Sequence, residues 1–423
     1  YTNWTQGDQA QNLEKAIATC RSALQMVTPA SDLDAWSTLT IRMADALRLR
    51  IKGDRAQNLE DAVALCREVL RVVGRDEHPQ TWAWTQHNLA NILRSRIRGD
   101  HVQNLEDAIT ACQAALQIRT REANPQGWAM TQLNLGNAYL ERILGDQADN
   151  QERAIAALQT ALEVFTRDAA PFDWAMTMNS LAIAYRGREI GDRTSNLNAA
   201  IAALEAILSV YTREGTPVEW ARTQLNLGTM YNDDYSRNSD DALAAYRAAA
   251  TVFTHEAFPV EWASIQLNMG SALRSRITFE SIQEKSRQNE YDALAVYQAA
   301  LEVFTPEASP LNYLNTILQM GYVYETLNQW EQAHDCYRKA RETQRDLLGV
   351  TTQQDTLQAT IADFAQRDLY VRDMRVLMRF PQPPLATVIE VLEEGRAQAL
   401  RITLDQDAID IARFERPAAR ERL

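Results

Sequence analysis

The sequence predicts an all-α solenoid of about seven helix–turn–helix repeats followed by C-terminal helices. Three observations predict it. Gly-Asp recurs at Gly7-Asp8, Gly53-Asp54, Gly99-Asp100, Gly145-Asp146 and Gly191-Asp192, always 46 residues apart. Trp keeps the same step at Trp36, Trp82, Trp128, Trp174 and Trp220; Trp262 then follows after 42 residues and its counterpart Tyr313 after 51. Proline marks the same beat at Pro79, Pro125, Pro171, Pro217, Pro259 and Pro310. A fixed period of this length is the signature of stacked supersecondary units. No segment sustains the apolar–polar alternation of a strand, so no sheet is expected.

Each element follows from local chemistry. Residues 1–30 form a half unit with one helix, 31–349 form the repeats, and 350–423 form capping or linker helices. In the unit around 125–166, Asn124-Pro125 signals a helix start, with Asn as cap and Pro where a missing N–H costs nothing. Trp128, Leu135, Ala138 and Tyr139 keep helical spacing, and Gly145 is expected as the left-handed C-cap with Arg142 near the negative helix end. Asn104-Leu105-Glu106-Asp107 is expected to open a second helix, capped by Asn104, with Ala108, Cys112, Ala115 and Leu116 as its apolar stripe. Small residues at Ala44, Ala90, Gly136, Ala182, Gly228, Gly270 and Gly321 let the helices of a pair approach. The Trp series is read as packing, not as a platform for bases.

The last unit carries Gly321, Tyr324, Ala333, Tyr337 and Ala340 at the spacing of a 34-residue tetratricopeptide repeat, which it resembles. Upstream units have the same signature with a longer inter-helix turn, and second-helix alanines at Ala16, Ala62, Ala108, Ala154, Ala200, Ala242 and Ala293. The resemblance implies a right-handed superhelix. Beyond it, 352–379 reads as one long helix, Pro381-Gln382-Pro383-Pro384 breaks it, and a second helix runs from Leu385 to about Leu404. Its segment Val391–Leu400, with Glu394-Gly395-Arg396-Ala397, is similar to the helix that joins tetratricopeptide arrays to a caspase-like CHAT peptidase domain in bacterial, notably cyanobacterial, proteins. That resemblance implies a regulatory region whose catalytic domain lies elsewhere, in a chain read as a piece of something longer. The alternative for the same helix is a cap that seals the last apolar face of the array.

Charge and composition limit the partners. With a net charge of −13, the surface repels phosphate backbones unless a basic face is hidden in the average, so nucleic acid is not expected. No apolar stretch has the length of a membrane span and no signal peptide opens the chain, so a cytoplasmic protein is expected. Cys20, Cys66 and Cys112 occupy one repeated position, and equivalent helices lie roughly 10 Å apart, too far for a bridge. They and Cys336 are read as small apolar fillers in a reducing compartment.

The default binding face is the concave surface lined by first helices. Asn88, Asn134, Asn226 and Asn268 lie two residues before the small residue, and Asn91 and Asn137 one after it, with Asp45 there in the first unit. Asn can pair with both backbone groups of an extended peptide. Four residues past the small one stand Arg48, Arg94, Arg186 and Arg274, able to grip a carboxylate bidentately. These rows resemble the asparagine ladders and carboxylate clamps of peptide-binding tetratricopeptide proteins. The plainer account has the Asn satisfying groups between repeats and the Arg pairing within the chain. Arg50, Arg96, Arg142, Arg188 and Arg276 sit in last turns, where dipole compensation explains them.

Other chemistry is sparse. The turn Asp233–Asp241 alternates oxygens as a calcium loop does, but Ser239 replaces the turn Gly and Ala245 the distal Glu, so no metal is expected. The polar excursion at Glu280–Gln288 is an exposed contact point or an extra helical turn. Asn3-Trp4-Thr5 is a chance glycosylation match. His334 and Cys336 are two apart on one helix and face apart, so no catalytic dyad is expected. His78, His87, His101 and His255 are read as scattered without carboxylates, and no cofactor motif is present. Three functions compete: the sensor or substrate-binding region of a CHAT-type protease, a stand-alone adaptor for extended peptides or C-terminal tails, and a helical subunit with activity of its own. The chain itself is expected to be no enzyme, with a protein or peptide ligand in the groove and its own CHAT domain as a further partner.

Overall fold

The computed structural model describes residues 6–234, 239–275, 283–350 and 369–397, and all regular structure among them is helical. The chain divides into two compact units, Tyr1–Ser236 and Arg237–Leu423. The first holds α1 (Gln6–Leu24), α2 (Leu33–Leu49), α3 (Arg55–Val72), α4 (Pro79–Arg94), α5 (His101–Leu116), α6 (Pro125–Glu141), α7 (Gln147–Leu162), α8 (Pro171–Gly187), α9 (Arg193–Ile207) and α10 (Pro217–Asp233). The second holds α11 (Ser239–Ala250), α12 (Pro259–Ser275), α13 (Gln283–Ala300), α14 (Pro310–Thr326) and α15 (Trp330–Val350), then helical stretches at 369–377 and 385–397. In the first unit every helix packs on the next, and the first helices α2, α4, α6 and α8 also touch in succession. The half unit is present as α1, which packs on α2. Most of the expected long helix 352–379 lies outside the described residues; its end is the stretch 369–377, and turn residues follow before 385.

The helix boundaries fall where capping chemistry puts them, with two corrections. Asn124 caps α6 as expected, its side-chain oxygen accepting from Gly127 N at 2.9 Å. Gly145, however, is not the C-cap of α6: Arg142 holds that place in extended conformation. Gly53, Gly99, Gly145 and Gly191 are indeed left-handed, at φ +82 to +90°, but they lie in the turn just before the second helix. That helix is capped by the Asp of the Gly-Asp pair. Asp100 accepts from Val102 N at 2.9 Å, and Asp54, Asp146 and Asp192 act likewise. Asn104 therefore does not cap; it is buried one turn inside α5, where Nδ2 donates to the turn carbonyl of Arg98 at 3.1 Å. Asn58, Asn150 and Asn196 repeat this bond to Lys52, Leu144 and Ile190.

The small first-helix position sets how closely a hairpin closes. A Cβ on Gly136 would come within 2.7 Å of Leu158 Cγ, and one on Gly321 within 2.6 Å of Tyr337 Cε1. The partner position is Cys66, Cys112, Leu158, Leu204, Tyr246, Tyr297 and Tyr337 in chain order, and every one is buried. Burial pushes the Cys66 and Cys112 thiols up to about 12, so they are inert fillers. All four cysteines are free. The Trp series is packing: Trp36 is buried, and Trp128 and Trp174 lie against the cluster of Phe165 and Leu158.

One bond pattern joins successive repeats. Arg96, just past the end of α4, is bidentate to Glu60 of the preceding second helix, Nε to Oε1 and Nη2 to Oε2, both at 2.8 Å. Its Nη1 donates to Asn104 Oδ1 at 3.1 Å. Arg50 with Glu14 and Asn58, and Arg142 with Glu106 and Asn150, repeat the arrangement. Arg188 pairs bidentately with Glu152 in the same way. These arginines therefore do more than compensate helix dipoles; Arg276 lies outside the described residues.

A buried exception interrupts the core of the first unit. Where Val73, Phe165 and Tyr211 stand in other repeats, the chain has Arg119, only 7% exposed, and at the position of Ile41 and Leu133 it has His87, at 8%. The two meet at one threonine. Arg119 Nη1 donates to Gly127 O at 3.2 Å and to Thr131 Oγ1 at 3.4 Å, while His87 Nδ1 lies 3.1 Å from the same hydroxyl. Among the described residues Arg119 Nε has no partner, and no carboxylate answers the charge. Burial holds His87 down at about 3, with the Arg119 charge adding to it, so the ring is neutral.

Two outcomes follow. Hydrogen bonding from Arg96 and Arg188 holds Glu60 and Glu152 below their ordinary value of 4.5. A carboxylate with a depressed folded pKa contributes stability above the unfolded value and loses it as pH falls through the folded one. Glu60→Gln is expected to cost about 1–2 kcal/mol near neutrality. The gap to wild type should close as thermal unfolding is repeated down to about pH 3; a gap independent of pH contradicts this. Replacing the buried polar pair by the apolar residues of neighbouring repeats, His87→Leu with Arg119→Phe, should raise stability by about 1–3 kcal/mol in chemical denaturation.

Candidate functional site

The predicted Asn row is largely turned into the stack. Asn88 Nδ2 donates to Trp84 O at 2.8 Å within α4, Asn134 lies 3.3 Å from His87 Nδ1, and Asn226 donates to Asn179 Oδ1 at 2.8 Å. Asn88 and Asn134 are buried, and Asn268 in the second unit is half-buried. Asn91 and Asn137 are half-buried on α4 and α6. The three bonded amides thus meet groups inside and between repeats.

The Arg row does grip carboxylates, but the chain supplies them. Arg48 holds Asp45 one turn back, Nη2 to Oδ1 at 2.8 Å. Arg94 is bidentate to Glu141 of the next repeat at 3.1 and 2.8 Å, and Arg186 reaches Asp233 at 2.7 Å. In the second unit Arg274 donates to Gln319 at 2.8 Å and stands 3.6 Å from Glu290, which is 3% exposed. Desolvation raises the Glu290 carboxyl, partly opposed by Arg274.

What the first helices leave open in the first unit is an apolar stripe. Phe172, Met176 and Ile183 lie four and seven residues apart on α8 and are 48%, 42% and 45% exposed. Ile183 occupies the position of Asn91 and Asn137, and Met176 that of Trp84 and Met130. Phe172 also stacks on Tyr211, ring centroids 6.3 Å apart. Sequence reasoning chose the polar members of this row and passed over its apolar ones, although the 46-residue register placed them together.

In the second unit the tail packs on the last repeat. Asp373, fully buried in the stretch 369–377, accepts from Arg341 Nε at 3.1 Å and lies 2.6 Å from His334 Nδ1. Glu394 pairs with Arg341 and, at 3.2 Å, with Arg345. Gly395 lets its helix approach Tyr370, whose Cβ would stand 3.1 Å from an added methyl. His334 thus serves a carboxylate and not Cys336, whose buried thiol is pushed up to about 12. His255 also has carboxylate company that the sequence reading missed, Glu302 at 3.8 Å.

Between the last first helix and this tail lies a cavity of about 330 Å³. Arg274, Tyr322, Glu325, Thr326, Trp330, Arg372, Arg375, Val376 and Arg379 line it. Arg372 donates to Glu325 Oε2 at 3.1 Å and stands 4.6 Å from the Tyr322 ring centre. Tyr322 and Glu325 occupy the positions of Asn137 and of the Arg row in the last repeat. No group of three or more His, Cys, Asp or Glu among the described residues is placed to hold a metal; residues 235–238 of the calcium-like turn lie outside them. No described helix is long and apolar enough to cross a membrane.

Known structures agree with the architecture. The crystal structure of a signal transduction ATPase with numerous domains (STAND) protein with a tetratricopeptide repeat sensor, from Pyrococcus horikoshii, matches 94% of this chain at TM-score 0.55 and 14% identity. The fold is therefore an all-α, tetratricopeptide-like repeat array. This chain spans only 54% of that one. The human IFIT1 dimer with m7Gppp-AAAA aligns over 93% of this chain and 95% of that one at 14% identity, but at TM-score 0.33 the likeness is too loose to argue from. No protein-family model matches the sequence, and no curated protein does.

Proposed function

We propose that the chain is a protein-binding scaffold, with no catalysis of its own, that takes an extended or helical segment of a partner along the exposed face of its first helices. The stripe Phe172, Met176 and Ile183 carries this reading. Three large apolar side chains exposed on one helix face, beside the half-buried amides of Asn91 and Asn137, have the mixed character of a protein-recognition surface. The Arg row contributes less than its sequence pattern implies, because Arg48, Arg94 and Arg186 already hold carboxylates.

Within that scaffold role, the sensor or substrate-binding region of a cytoplasmic CHAT-type protease is the finer reading. The Glu394-Gly395-Arg396 resemblance supports it, and Arg396, which pairs with Glu393 three residues away, is exposed among the described residues. A stand-alone adaptor is the second reading. It is favoured by the structural work of Glu394 and Gly395, which join the tail to the last repeat as a sealing helix would.

Selection of a random peptide library on the full chain tests the scaffold. Enriched peptides are expected to bind with Kd values of about 1–100 μM and to lose at least tenfold in Phe172→Asp/Ile183→Asp. The quadruple change of Asn88, Asn134, Asn226 and Asn268 to Ala is expected to act chiefly on stability. No enrichment, or binding indifferent to the α8 variant, contradicts the reading.

A further inference from the structure

The arginine-lined cavity of the second unit does not belong to the first-helix stripe, and its charge is unlike the rest of the chain. Against a net charge of −13, four guanidiniums face one space of about 330 Å³. Two have carboxylates: Arg274 beside Glu290, and Arg372 on Glu325. The side chains of Arg375 and Arg379 make no ion pair or hydrogen bond among the described residues. Arg375 stands in the helical stretch 369–377 and Arg379 in the turn just past it, and both line the space. With Glu290 counted beside the lining's own Glu325, the site carries an excess of two positive charges, reduced in part by the carbonyl ends of α12 and α14, near which Arg274, Tyr322, Glu325 and Thr326 stand.

The fixed carboxylates explain why the site is preorganised and not merely basic. Glu325 accepts from both Tyr337 Oη at 2.9 Å and Arg372 at 3.1 Å. Arg372 and Arg274 then stand 4.6 and 5.9 Å from the Tyr322 ring centre. Arg372 is held by Glu325, and Arg274 by Gln319 with Glu290 beside it; a guanidinium has five N–H groups, more than these partners take. Arg372 is braced by the Tyr322 ring and the half-buried Glu325 carboxylate, and Arg274 by the same ring beside the buried Glu290.

We propose that this cavity binds a phosphomonoester dianion. Such a group carries about −1.5 to −2 charges and three strong acceptor oxygens, which match two free guanidiniums plus the spare donors of two braced ones. A single carboxylate offers two oxygens and one charge, and would leave one arginine unanswered. The volume also exceeds what a bare phosphate needs, so room remains for the group that carries it, with the Trp330 indole on the wall. A phosphorylated peptide side chain and a small phosphorylated metabolite share this chemistry.

Isothermal titration of the full chain separates the sources. The probes are inorganic phosphate, adenosine monophosphate, a phosphoserine peptide, the same peptide unphosphorylated, and acetate. Phosphate-bearing probes are expected to bind at one site, more weakly as salt is raised, and to lose at least tenfold in Arg375→Gln/Arg379→Gln. A phosphopeptide tighter than the nucleotide assigns a protein source; the reverse assigns a metabolite. Absence of binding by every phosphate probe at millimolar concentration, equal binding of acetate, or unchanged binding in the double variant overturns the proposal. Arg375 and Arg379 are exposed, so the variant should keep the wild-type circular dichroism and melting curve. Because Phe172 and Ile183 lie in the other unit, the peptide-stripe variant is expected to bind phosphate normally, which keeps the two readings separable.

Discussion

A guanidinium just past the end of each of the first helices α2, α4, α6 and α8 ties parts of the first unit together. In Arg96 it joins the preceding repeat through Glu60, its own repeat through Asn104, and the turn between them, because Asn104 also carries the Arg98 carbonyl. A single repeat cannot bury its apolar faces alone, so the junction between repeats decides whether an array exists. The long turn of a 46-residue unit makes that junction harder. The left-handed glycine, the Asp cap, the buried Asn and the stapling Arg are one device for ordering it. When the Arg position becomes Asp234, the Glu position becomes Asn198, the next step shortens to 42, and Tyr246 stands where Cys or Leu stood. The staple and the long turn disappear together.

That device also apportions the surface. Polar side chains of the first helices that face neighbouring repeats are consumed by stacking, as Asn134 at His87, Asn226 at Asn179 and Arg94 at Glu141 show. What remains for a partner is the outward row, apolar on α8 and amide-bearing on α4 and α6. In the second unit the equivalent row meets the tail, and Tyr322 and Glu325 there become the wall of a basic cavity. The same register positions thus support stacking, partner contact and anion capture according to which neighbour lies against them.

Much of the fold was legible because its signals are local and repeated. Proline at the first helical position, the small residue opposite Leu158 or Tyr337, and the period itself each require only short-range chemistry. Boundaries were harder. Gly145 and Asn104 were given capping duties that belong to Arg142 and Asp100, since several residues of the turn have capping chemistry and only geometry selects among them. The candidate site was least legible. Whether Arg94 is free for a ligand depends on Glu141, one repeat away, and nothing local marks that pairing. Glu14, Glu60, Glu106 and Glu152 did carry a signal, a carboxylate 36 residues before each stapling arginine in four successive units, lost with it in the fifth. The cavity needed the tail folded back onto the array, a contact no period encodes.

The claim that this staple holds the first unit is tested most directly by a double-mutant cycle on Arg96→Ala and Glu60→Ala, read by chemical denaturation. A coupling energy of about 1–3 kcal/mol, from a partly buried, bidentate, charge-assisted pair, is the predicted result. Additive effects within about 0.5 kcal/mol would contradict it and reduce the arginine series to surface charge compensation.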